Sequence, residues 1–192
     1  RPMPQRTVVD PLWLRICPFP KLPTVSSPAL FDGKMIFGDG MHQTDGAILY
    51  CVPLDGGFPL WQLSVPGELV HLEGSPTIAG GKAYIGGGAA GVLCVEIGKA
   101  MIEGKEHDLV AIAGLQQARW KELEAKFLVD KKKDPDFAME PSIDQLHKPS
   151  PKVVWQQGKA KWHVDAPVAV IRDKVLVASA FLEKEKVGDR SL

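Results

Sequence analysis

The sequence has no surplus of charge: 23 basic side chains are balanced by 23 acidic ones over 192 residues. A chain that gathers phosphates normally carries a basic excess or stripe, so the balance argues against a nucleic-acid partner. The one basic run, Lys131-Lys132-Lys133, is followed at once by Asp134 and Asp136 and reads as a solvated segment. No apolar run approaches the roughly 20 residues of a membrane-spanning helix. Cysteine is scarce: Cys17, Cys51 and Cys94 form no C-x-x-C or C-x-x-C-H pattern, which argues against a zinc knuckle or a c-type haem attachment in this stretch. No G-x-S-x-G elbow, H-E-x-x-H helix or P-loop is present, so the common signatures of hydrolase, metalloprotease and nucleotide chemistry are missing. The stretch opens with neither an initiator Met nor a signal-peptide pattern; a secreted parent is expected to carry its leader elsewhere.

What is present is turn chemistry between short apolar runs. Gly (19) and Pro (16) are spread along the chain, which suits many strands and turns. The spacing repeats. Placing Trp13 over Trp61, an offset of 48 residues, brings Pro18 onto Pro66, Ser27-Pro28 onto Ser75-Pro76, Gly33-Lys34 onto Gly81-Lys82, and Gly38 and Gly40 onto Gly86 and Gly88 without a gap. A third copy follows: Trp155 matches the tryptophan strand, Pro167 the proline, and Asp173-Lys174-Val175 the Gly-Lys strand. Asp32-Gly33, Gly80-Gly81 and Arg172-Asp173 are tight-turn pairs between strands. Four short strands per unit of about 40–50 residues is the period of a β-propeller blade. The fold class expected is therefore all-β: a partial β-propeller of four-stranded antiparallel blades, about two to three of them, with a helical insertion. Blades are expected over 1–98 and 152–192, the latter continuing past the end of the chain, with a helical and proline-rich insertion over 99–151. Cys51 and Cys94 then occupy equivalent strands and read as buried free thiols.

These residues also resemble a known family. Ser-Pro-x-x-x-x-Gly-Lys, a strand ending in Gly, then Leu-Tyr-x-Val, a Gly-Gly turn and Leu-Trp resemble the PQQ repeat, over residues 6–98 and 152–192. That repeat occurs in quinoprotein dehydrogenases and in non-enzymatic propellers related to an outer-membrane assembly lipoprotein. The resemblance implies a bacterial periplasmic or secreted location, further blades in the parent chain, and a choice of two activities. The first is a non-catalytic propeller that binds or scaffolds proteins. The alternative is part of a PQQ-dependent alcohol or sugar dehydrogenase, for which PQQ with calcium is the implied cofactor. The adjacent cysteine pair of those enzymes is absent, no residue matches a PQQ contact, and no cofactor is evident from the residues themselves. A weaker third reading is a carbohydrate- or polymer-binding propeller with Trp120 and Trp162 as exposed stacking surfaces.

The insertion reads as helix then excursion. Asp108 is a candidate N-cap, and Leu109, Ile112, Leu115, Trp120, Leu123 and Phe127 recur at helical intervals. Gly114 is expected to weaken or split the helix, and Trp120 and Phe127 to bury against the blades. After Pro135 the chain is punctuated by Pro141, Pro149 and Pro151. Residues 100–150 are the expected docking element if a protein partner exists.

Three polar groups stand out. His163 and Asp165 alternate onto one side of an extended segment, where they could bind a metal or exchange protons; the plainer reading is a turn-capping Asp165. His71 and Glu73 occupy the loop before Ser75-Pro76. Loops that enter the innermost strand tend to face a propeller's channel, so His71, Glu73, His163 and Asp165 are expected to share one face. Asp39 and Asp45, with His42 between them, faintly suggest an oxygen-ligand metal loop, but the EF-hand pattern is missing and Asp-Gly turns explain them. An incomplete propeller leaves strand edges unshielded, so the isolated chain is expected to self-associate; a monodisperse monomer with a cooperative melt by light scattering and calorimetry would contradict this.

Overall fold

A computed structural model describes residues 20–42 and 44–181; Trp13 and Cys17 of the sequence motifs lie outside these. The described chain is mostly β, in antiparallel sheets, with one long helix.

The first sheet contains β1 (Ala29–Phe31), β2 (Lys34–Gly38), β3 (Ala47–Pro53) and β4 (Trp61–Val65), hydrogen-bonded in chain order. Asp32 and Gly33 both have positive φ, 46° and 69°, the combination a two-residue turn needs to match strand twist. The second sheet begins identically, with β5 (Thr77–Ala79), β6 (Lys82–Gly86) and β7 (Val92–Ile102). Here the equivalent turn is Gly80-Gly81, at φ 56° and 70°. The fourth position is filled from far along the chain, by β9 (Ser150–Gln157) pairing with β7. Between them come β8 (Lys105–Asp108), which forms a hairpin with the far half of β7, and α1 (Leu109–Lys133).

The registers of the two sheets coincide. Ile36 faces Cys51 and Cys51 faces Trp61 in the first; Tyr84 faces Cys94 and Cys94 faces Trp155 in the second. Trp155 therefore occupies the place of Trp61, although the excursion displaces it in sequence. Trp61 is fully buried and its indole N–H donates to the Ile97 carbonyl at 3.0 Å, linking the sheets. One apolar cluster runs through both sheets, from Ile36, Leu49 and Trp61 to Ile85, Val95 and Ile97, and takes in Leu109 and Ile112 of the helix.

The third copy is less regular. β10 (Trp162–His163) pairs with β13 (Ala180–Phe181), and β11 (Ala169–Ile171) with β12 (Lys174–Leu176), as two separate two-stranded sheets. Arg172 takes the positive φ of the turn, 57°.

Two expectations for the insertion change. β7 runs through Ile102, across the boundary drawn at 98, because its hairpin with β8 continues the ladder. Gly114 does not split α1, which is continuous from an N-cap at Asp108 whose carboxylate accepts from the Ala111 N–H. Trp120 is half-buried against Phe58, and Phe127 lies under the Lys131 ammonium.

Glycines separate into two kinds. A Cβ on Gly114 would meet nothing, whereas one on Gly86 would lie 2.6 Å from the Val164 carbonyl oxygen. We therefore expect Gly114→Ala to stabilise the chain by about 0.5–1 kcal/mol. Gly86→Ala should destabilise it by about 1–3 kcal/mol, the usual cost of overpacking. Urea denaturation of both variants checks the pair.

Candidate functional site

The two inter-sheet junctions are built alike. The segment after β4 crosses the end of β2, where a Cβ on Gly38 would lie 2.3 Å from the Leu72 Cβ. The segment containing β10 crosses the end of β6, where Gly86 meets Val164. Backbone hydrogen bonds fasten both crossings: Leu72 N–H to the Asp39 carbonyl, and a reciprocal pair between Gly88 and Val164. Leu72 and Val164 are each the middle residue of a His-x-acid triplet, His71-Leu72-Glu73 and His163-Val164-Asp165. The side-chain-free strand ends let these triplets come close, and they converge.

His71 and His163 are both buried, with their Nε2 atoms 2.9 Å apart. Asp165 Oδ1 lies 3.2 Å from His163 Nε2 and 3.6 Å from His71 Nδ1. Glu73 Oε1 lies 3.7 Å from His71 Nδ1. A third imidazole joins them. His42, from the loop after β2, stacks nearly parallel on His163 (centroids 5.3 Å, 6°) and tilts against His71 (5.0 Å). One donor atom each from His42, His71, His163 and Asp165 falls within 4.8 Å of all the others. Among the described residues this is the only such group of three or more His, Cys, Asp or Glu side chains. Its donor set could hold a metal ion; it could equally relay a proton between imidazole and carboxylate.

Burial lowers the His71 pKa, opposed by the Asp165 and Glu73 carboxylates and reinforced by the neighbouring His163 and His42 rings. Burial alone would raise the Asp165 carboxyl, but contact with His163 and the fields of His163, His71 and His42 hold it below its usual value. Neither His71 Nδ1 nor Asp165 Oδ1 completes a hydrogen bond, although both atoms are cut off from solvent.

The four residues singled out in sequence, His71, Glu73, His163 and Asp165, thus lie together. From sequence, His42 groups only with the Asp39–Asp45 loop. The repeat register does not mark it, since Ala90 stands at the equivalent place in the second copy. Asp39 and Asp45 stand apart from the group and serve the backbone. Asp39 is fully buried and accepts from the Ile48 N–H at 2.6 Å and the Tyr50 hydroxyl at 3.1 Å; Asp45 accepts from the Leu69 N–H at 3.0 Å. A groove of about 580 Å³ lies between Pro66, Leu69, Ala90, Leu93 and Gln156, with Glu68 and Lys159 as its ionisable groups.

No family model, no curated protein and no solved structure matches this chain.

Burial raises the Asp39 carboxyl above its usual value, against the lowering effect of its hydrogen bonds to Ile48 and Tyr50. An acid raised on folding loses its proton first in the unfolded chain, so its stabilising contribution is full at low pH and falls as pH climbs through the folded value. Asp39→Asn keeps an acceptor for Ile48 and carries no charge. The stability difference between variant and wild type should therefore shift in favour of Asn as the pH rises above the ordinary aspartate value of about 4. Denaturation midpoints compared across that rise check the sign. Asp39→Ala, which removes the acceptor of the Ile48 N–H and of the Tyr50 hydroxyl, should cost about 1–3 kcal/mol throughout.

Proposed function

We propose that this chain is a segment of a β-propeller of the PQQ-repeat type, in a bacterial periplasmic or secreted protein, and that it serves as a non-catalytic binding scaffold. The observation that carries the reading is the junction built twice at the repeat offset, Gly38 against Leu72 and Gly86 against Val164. Two further contacts support sheets standing side by side at their first strands. The Ser27 N–H donates to Ser75 Oγ, 48 residues on, and the Thr77 hydroxyl donates to the Val168 carbonyl. The matched Ile36–Cys51–Trp61 and Tyr84–Cys94–Trp155 registers fit the same unit. In this reading the remaining blades of the parent complete the ring.

The excursion over 100–150 is the proposed partner surface. It leaves Val110, Phe137 and Met139 more than four-fifths exposed, with Leu128 and Val129 half exposed. Large apolar side chains left exposed along the excursion are features expected where another protein docks. A helix anchored at its first turn by Leu109 and Ile112, and further along by Gln116 donating to the Pro59 and His147 carbonyls, would hold that surface rigid.

Two measurements test the reading. A Ser27→Cys, Ser75→Cys double variant should cross-link on mild oxidation with its β content unchanged; failure to cross-link would remove the side-by-side packing. Titration of the chain with PQQ and calcium should give no saturable absorbance change and no dye reduction with alcohols or sugars. Saturable binding with turnover would return the quinoprotein alternative.

A further inference from the structure

The imidazole and carboxylate donors gathered at the junction have more lone pairs than protons to join them. His163 Nε2 lies 2.9 Å from His71 Nε2 and 3.2 Å from Asp165 Oδ1. A neutral ring nitrogen offers either one proton or one lone pair, and a carboxylate offers lone pairs only. An N–H at His163 Nε2 serves Asp165 or His71, not both. With the proton on His71 Nε2 instead, the occupied lone pair of His163 faces a carboxylate oxygen. On the far side of its ring, buried His71 Nδ1 stands 3.6 Å and 3.7 Å from two carboxylate oxygens without completing a hydrogen bond. A cation satisfies these lone pairs together.

We propose that His42, His71, His163 and Asp165 are the four ligands of a zinc-class divalent cation, with Glu73 a positioning residue behind His71. Imidazole with a single carboxylate suits zinc and its first-row neighbours. Calcium, which takes six to eight oxygen ligands, is a poor match. Zinc–nitrogen bonds of about 2.0–2.1 Å in a tetrahedron put ligand atoms about 3.3 Å apart, close to the 2.9 Å and 3.2 Å found. Four protein ligands close a tetrahedral shell, so the ion is structural and not catalytic. Ligation of His71 through Nε2 leaves its Nδ1–H for Glu73, the carboxylate–imidazole–metal arrangement that fixes tautomer and ring orientation.

Glycine keeps the space open. A Cβ on Gly88 would lie 3.0 Å from His71 Nε2. His42 is exposed and the Asp165 side chain is 42% exposed, giving an ion a route in. The ligands come from the loop after β2, the segment between β4 and β5, and the β10 segment. One ion therefore ties together three successive repeats, and it does so whether or not those repeats belong to a closed ring.

The test uses the 192-residue chain stripped with chelator and titrated calorimetrically with Zn²⁺. One ion per chain should bind, the melting temperature should rise with Zn²⁺, and Co²⁺ should give the visible bands of a four-coordinate site. His42→Ala, at an exposed loop position, and Asp165→Asn should each weaken Zn²⁺ by at least about tenfold. His107→Ala and His147→Ala, the two remaining histidines, should leave affinity unchanged. Glu73→Gln should weaken Zn²⁺ while leaving the metal-free melting temperature unmoved. Absence of stoichiometric binding would overturn the proposal, as would binding that survives both His42→Ala and Asp165→Asn or that falls with His147→Ala.

Discussion

Backbone can lie against backbone only where no Cβ intervenes, and this molecule puts glycine where its successive repeats meet. Gly38 admits Leu72, Gly86 admits Val164, and Gly88 leaves room for the His71 ring. A methyl group at either of the first two would displace a fully buried residue and break the backbone hydrogen bonds beside it. The close crossings set how the sheets stand relative to each other. They also decide what is carried in with the crossing segments, because the residues on either side of Leu72 and Val164 arrive at the junction with them.

Those flanking residues are histidine on one side and a carboxylate on the other, at both crossings. A buried imidazole cluster is costly unless its nitrogens are satisfied, and burial already disfavours the charged form of His71. Replacing protons by one divalent ion removes the conflict at His163 Nε2 and joins separate parts of the chain. In this account chemistry and architecture have one origin: the approach that packs the repeats also assembles the ligands.

Much of this was legible in the residues. The 48-residue offset marks equivalent strands, since only Gly, Pro and Trp at fixed places satisfy the turns, the close crossings and the large core position. The positive φ of Gly33 and Gly81 and the shared Cys-to-Trp register follow from it. The N-cap at Asp108 was readable because a capping carboxylate precedes a helical apolar pattern. The long β7–β8 hairpin was not, because Lys105, Glu106, His107 and Asp108 give β8 no apolar alternation; backbone pairing holds it and the exposed Lys99–Glu106 ion pair at 2.7 Å spans it. Gly114 misled for a related reason. Tertiary anchoring through Leu109, Ile112 and Gln116 outweighs the roughly 1 kcal/mol that a mid-helix glycine costs. At the site, His71, Glu73, His163 and Asp165 were visible as repeated triplets, whereas His42 has no counterpart in the second copy, where Ala90 stands. Only the folded crossing reveals its place.

The central claim is that one ion is held by imidazoles and a carboxylate drawn from three repeats. X-ray absorption at the zinc edge of the stoichiometrically loaded chain tests it most directly. The account predicts a first shell of nitrogen and oxygen scatterers at about 2.0–2.1 Å with the multiple scattering of three imidazole rings. A sulfur scatterer at about 2.3 Å, or an oxygen-only shell without imidazole scattering, would contradict it.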